Sequence, residues 1–149
     1  MGIVERLDGD LKAAMKARDE LRVQVIRMLK SDLRYKQIEI GRELTEDDCI
    51  GVLSTAAKRR KESVQEYRQA GREDLAGNES SELEILRVYL PEQLSESELV
   101  RLVDKAISES EAKTIKDIGA VMKILMPEVR GRADGKAVNA AVRARLEGK

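Results

Sequence analysis

Apolar residues recur every three or four positions along nearly the whole chain, and nowhere is there sustained alternation of β-branched residues. That period belongs to helices with one face turned inward. Ile3, Leu7, Leu11, Ala14 and Met15 predict a first helix over about 3–18. Leu21, Val25, Met28, Leu29 and Leu33, widened by Ile26, predict a second over about 19–41, with Gly41 placed for a left-handed cap. Thr45 followed by Glu46, Asp47 and Asp48 opens a third, because a hydroxyl can cap the helix and acids suit its positive end. Its stripe is Ile50, Leu53, Ala57, Val64 and Tyr67, with Arg60 where an apolar residue is due, and Gly71 closes it. A fourth helix is expected over about 73–90, with Leu83, Leu86 and Leu90 on one face and Ile85 and Tyr89 beside it.

Pro91 lacks an N–H and pushes Leu90 away from helical geometry, so the boundary between two parts is placed within 90–94. The expected domains are 1–92 and 93–149. Ser95 and Glu98 form a capping box for a fifth helix with Leu99, Leu102, Val103, Ala106 and Ile107 inward. Thr114 and Asp117 make a shorter version for a sixth, which carries Ile115, Ile118, Met122 and Leu125 and is expected to stop at Pro127. Gly119, in its middle, costs about 1 kcal/mol relative to Ala, and close helix packing is the expected reason. A glycine-punctuated loop over 130–135 leads to a seventh helix over about 136–146, with Val138, Ala141, Val142 and Leu146 inward. The fold class is therefore all-α, four helices followed by three.

Composition narrows the chemistry. The 149 residues hold no His, Trp or Phe, three Tyr and one Cys. Without imidazole there is no Ser-His or Cys-His nucleophile and no His-ligated metal. Cys49 alone forms neither an internal disulfide nor a cysteine zinc site, and its acidic neighbours oppose a thiolate. Catalytic residues, metal and cofactor are all expected to be absent. Too few aromatics are present to stack bases in the manner of RRM or OB modules. No apolar run approaches the roughly 18 residues of a membrane span, and the N-terminal residues lack a secretory core, so a cytosolic protein is expected.

The 28 basic and 28 acidic residues cancel overall, but not by region. Residues 1–90 carry 17 basic and 18 acidic residues, 91–112 carry 2 and 6, and 113–149 carry 9 and 4, for net charges of −1, −4 and +5. The last segment, with Lys113, Lys116, Lys123, Arg130, Arg132, Lys136, Arg143, Arg145 and Lys149, can attract a phosphate backbone through counterion release; a solvated surface competes with that reading. The run Lys58-Arg59-Arg60-Lys61 spreads around its helix and reads as a solvated face, apart from Arg60, whose register directs it to the apolar stripe to snorkel or meet an acid. In the 130–135 loop Asp134 is expected to cap the last helix, so a phosphate would meet Arg130, Arg132 and Lys136 around the loop instead of the helix end.

Several segments together resemble the YqeY-like, or GatB/YqeY, family. They are Ala14-Met15-Lys16 with Val25-Ile26-Arg27-Met28-Leu29-Lys30; Arg60-Lys61-Glu62-Ser63; Tyr67 with Ala70-Gly71-Arg72, Asp74 and Leu75; Tyr89-Leu90-Pro91 with Gln93-Leu94-Ser95; Gly119-Ala120-Val121-Met122-Lys123 with Leu125-Met126-Pro127; and Gly131-Arg132-Ala133-Asp134-Gly135 with Val138-Asn139. Arg130 and Arg132 stand where the family often has Lys, which keeps the charge. The resemblance implies an all-α protein related to the tail domain of the B subunit of the glutamine-dependent aminoacyl-tRNA amidotransferase, a tail that contacts tRNA. The label that such proteins inherit, carbon–nitrogen ligase with glutamine as amido donor, finds no support in these residues. The expected function is a non-catalytic tRNA-interacting module, with Lys116, Lys123, Arg130, Arg132, Lys136 and Asn139 as RNA contacts and Gly131, Asp134 and Gly135 shaping the loop. Two alternatives stand beside it: an accessory component of an amidotransferase assembly, and a protein-interaction adaptor with no RNA role.

Overall fold

The computed structural model describes residues 2–148; Met1 and Lys149, the latter counted above in the basic segment, lie outside the described residues. Among the described residues there are seven α-helices, one 3₁₀ turn and no strand. They are α1 (Ile3–Ala17), α2 (Glu20–Ile40), α3 (Glu46–Gln69), α4 (Glu73–Arg87), α5 (Glu96–Ser110), α6 (Ile118–Val129), preceded by the 3₁₀ turn Ile115–Asp117, and α7 (Gly135–Glu147). The chain divides into two compact units, Met1–Pro91 and Glu92–Lys149.

The first unit packs α1–α4 around Leu7, Val25, Ile26, Leu29, Leu53 and Leu86, all fully buried. Its helix ends follow local chemistry. The Asp19 carboxylate accepts the Arg22 amide, Thr45 and Asp48 complete a reciprocal capping box, and Gly41 and Gly71 take φ of +72° and +74° where the chain leaves α2 and α3. Arg60 is 6% exposed. Its Nη1 donates to the Ala56 carbonyl at 3.2 Å, and its Nε lies 3.6 Å from Glu82 Oε2 on α4, so the polar residue in the α3 stripe is an interhelical ion pair. Burial, then the neighbouring Glu79, push the Glu82 carboxyl above its ordinary pKa in spite of Arg60.

The fourth helix ends earlier than the sequence predicts. It stops at Arg87, and Tyr89 and Leu90 close a tight turn onto the carbonyls of Leu86 and Arg87. The reason is partly tertiary. Tyr89 is 2% exposed, and its hydroxyl donates to Asp10 Oδ2 on α1 at 2.5 Å, while Arg6 stacks 5.1 Å from the ring centre and donates to the Val88 carbonyl. Cys49 is buried; loss of water first, then the charges of Glu46 and Asp48, raise its thiol pKa.

The second unit packs α5, α6 and α7 around Val103, Val121, Leu125, Val138 and Val142, each fully buried. Ser95 and Glu98 form the expected capping box, and α5 ends at Glu111 in the left-handed region. Two expectations fail here. Pro127 does not stop the sixth helix, which runs on to Val129. Proline removes its own N–H but not those that follow; the Arg130 amide still bonds the Met126 carbonyl, and Val129, 1% exposed, anchors the extra turn in the core. Gly119 does not serve close packing: a Cβ built there meets nothing within 4 Å, and the residue is exposed.

Candidate nucleic-acid interface

The expected contact residues all fall on the second unit, along the run from the 3₁₀ turn through α6 and the 130–134 loop into α7. Thr114 caps the turn, and the Asp117 carboxylate accepts the Lys113 and Thr114 amides at 2.9 and 3.2 Å, which lowers its pKa. Lys116 is exposed on this turn. On α6 the inward face is Val121, Leu125 and Val129, which sends Lys123 out to solvent.

The loop is held by more than its glycines. Residues 92–94 lie against it: the Leu94 amide donates to the Arg132 carbonyl at 2.8 Å, and Gln93 Nε2 to the Gly131 carbonyl at 2.7 Å. Arg132 completes the strap, donating from Nε to the Glu92 carbonyl at 3.2 Å and from Nη1 to the Glu128 carbonyl at 3.3 Å. Arg132 is half-buried and joins the strap to the end of α6, while Arg130, which caps α6, is exposed. Gly131 has φ +75°, a conformation that L side chains rarely adopt.

Gly135 does not share that role. It is the first residue of α7, is not among the glycines with positive φ, and a Cβ there meets nothing within 4 Å. The expectation that the loop depends on Gly135 is thereby corrected: the left-handed residue is Gly131. The Asp134 carboxylate accepts the Lys136 amide at 3.4 Å and so occupies the start of α7. The loop therefore offers cations around its edge and no open helix end to an anion.

On α7 the inward face is Val138, Val142 and Leu146. This places Lys136 and Arg143 on one exposed flank with the half-buried Asn139 beside them, at i, i+7 and i+3. Arg143 Nε donates to Asn139 Oδ1 at 2.9 Å. Arg143 belongs beside the expected contacts, and its four-residue spacing from Asn139 was the available signal. Arg145 lies on the other flank. Its guanidinium forms a two-pronged pair with Asp104, both contacts at 2.7 Å, which raises its pKa further. That flank borders an open groove of about 650 Å³ lined by Asp104, Ser108, Glu111, Lys113 and Arg145, where carboxylates offset the cations. Lys116, Lys123 and Lys136 have no ion-pair partner among the described residues. The described residues contain no group of three potential metal ligands, and no helix is long and apolar enough to cross a membrane.

The arrangement defines an all-helical protein of two units, the second ending in a helix–loop–helix that turns unpaired lysines outward. The chain belongs to the Yqey-like protein family, whose model matches residues 4–146. Its relatives include the altered inheritance of mitochondria protein 41, mitochondrial, of Saccharomyces cerevisiae, 29% identical over 136 residues that cover 91% of this chain and 72% of that protein. The protein of the same name from Lachancea thermotolerans is 37% identical over 109 residues, 71% of this chain and 58% of that one. The one from Vanderwaltozyma polyspora is 38% identical over 85 residues, 56% and 46%. These names overturn the cytosolic placement expected from the sequence, since all three relatives are named as mitochondrial. The expectation rested on the lack of a secretory core and of a membrane span, and neither separates cytosol from an organelle interior.

Proposed function

We propose that this protein is a non-catalytic tRNA-interacting module built as two domains, four helices in the first and three in the second, with RNA contacted by the second. The observation that carries the reading is the set of outward cations Lys116, Lys123 and Lys136, exposed and without ion-pair partners among the described residues, joined on α7 by Arg143 and Asn139. Elsewhere in the same unit the cation Arg145 is already matched by a carboxylate. Unmatched cations on one run of chain are what phosphate contact requires, because each one that neutralises a phosphate releases counterions. The three tyrosines, Tyr35, Tyr67 and Tyr89, all precede residue 92, so the second unit has no ring to stack a base. Recognition is then of backbone and shape. Arg132 acts by holding the loop, and Arg130, Lys123, Lys136 and Arg143 by contact.

A mobility-shift titration with purified tRNA across a salt series tests this. The variant Lys123→Ala/Lys136→Ala/Arg143→Ala should weaken binding and flatten the salt slope by about 2 to 3, one unit or slightly less per lost phosphate contact. No binding at low salt, or a variant that binds like the parent, refutes the reading and leaves the adaptor alternative. The resemblance to the amidotransferase tail also supports an accessory place in such an assembly. Transamidation of misacylated tRNA with and without this protein tests that second reading.

A further inference from the structure

The second helix has two apolar faces; the first unit covers one and touches the other only at its edge, where Arg60 Nη2 donates to Met28 Sδ at 3.5 Å. Val25, Ile26, Leu29 and Leu33 are buried against its neighbours. On the opposite side Leu21, Met28 and Tyr35 recur at seven-residue steps, and Ile38 follows three residues after Tyr35. Their exposures are 36, 41, 74 and 71%, large for such side chains. The positions between them on this face, Gln24 and Ser31, are also exposed. A seven-residue step drifts by only about 20° around a helix, so these residues form one stripe along α2.

The charges beside the stripe say what fits it. Arg27 and Arg34 each precede a stripe residue by one position, and Asp32 and Glu39 each follow one by four. When two such helices pair in parallel, a residue in the first of these positions faces the residue five places further along the partner helix. Two copies of α2 then match Arg27 with Asp32 and Arg34 with Glu39, twice each by symmetry. An antiparallel pair would instead set the arginine edges of the two helices against each other. Arg27, Asp32 and Arg34 have no ion-pair partner among the described residues. Glu39 has only the half-buried Lys36, at 3.7 Å.

We propose that this face of α2 binds a second copy of the chain, with the two α2 helices parallel and Leu21, Met28, Tyr35 and Ile38 meeting their counterparts across a two-fold axis. Gln24 and Ser31, polar within the stripe, make the dimer reversible. The surface belongs to the first unit and does not depend on the RNA reading.

Sedimentation equilibrium of the full chain tests it. The parent should associate as a dimer, and Tyr35→Glu should weaken association about tenfold or more. Arg34→Glu should weaken it as well, and Arg34→Glu/Glu39→Arg should restore it, because only the parallel match exchanges these two charges. Tyr35→Cys should form a disulfide-linked dimer under mild oxidation, while the parent, whose single Cys49 is buried, should not. Tyr35 is exposed, so circular dichroism should show these variants folded. A parent that stays monomeric up to its solubility limit overturns the proposal. So does a dimer indifferent to Tyr35→Glu, or a charge exchange that fails to restore association.

Discussion

The two units are both helical and built from the same aliphatic residues, yet they define their interiors differently. The first buries a charge, Arg60, and ties Tyr89 to Asp10 across 79 residues of sequence. Every buried residue among the described residues of the second is apolar, and its polar contacts lie outside that core, at caps, turns, the strap from 92–94 to the loop and the exposed pairs Arg145–Asp104 and Lys105–Glu128 between helices. Aliphatic packing alone tolerates alternative registers, whereas a buried polar contact is costly to leave unmade. The first unit thus takes part of its register from polar partners inside its core, and the second from caps and from polar contacts on its surface, around an apolar core.

Substitutions can break or sharpen that contrast. The largest effect is expected at Arg60→Ala, which strands Glu82 beside Glu79. About 3 kcal/mol of stability should be lost by urea denaturation, while hydrogen exchange in α5–α7 is unchanged. Replacing both partners, Arg60→Met/Glu82→Leu, should recover most of it; a double variant as unstable as the single would show that the ion pair is not what matters there.

Tyr89→Phe should follow, at about 1.5 kcal/mol for a hydrogen bond to a charged acceptor. It also carries a pH signature. Burial, then the hydrogen bond to Asp10, raise the Tyr89 pKa in the folded protein. Stability from a raised phenol is complete below the unfolded value of about 10 and is lost as pH climbs through the folded value. The parent should therefore destabilise above pH about 10 with a slope that Tyr89→Phe reduces.

In the second unit Gly131→Val should cost about 1 to 2 kcal/mol, since a β-branched residue is strained at positive φ. Gly135→Val should stay within about 0.5 kcal/mol. Equal losses at the two glycines would contradict the conformations described for the loop. The smallest loss beyond error is expected for Ser95→Ala, about 1 kcal/mol from removal of the α5 cap, measured in the same denaturation series.

Much of the candidate interface was legible from residue types. Asp134 caps α7 because a short carboxylate before a helix satisfies an exposed amide, and Lys123 and Lys136 point outward because α6 and α7 turn apolar residues in. Arg132 and Arg145 were not legible as structural residues. Their acceptors, the Glu92 carbonyl and Asp104, lie 40 and 41 residues away, and nothing local marks the pairing. Arg143, by contrast, carried a local signal, its four-residue spacing from Asn139.

By itself, the sequence determined the helices, their caps and the segregation of charge, because these depend on groups within about four residues of one another. Tertiary structure decided that Pro127 sits inside a helix, that α4 stops before the buried Tyr89, that Gly131 and not Gly135 bends the loop, and that α2 keeps a second apolar face largely exposed. Each of these follows from which distant residues fill the space around a position, and period and propensity carry no record of that.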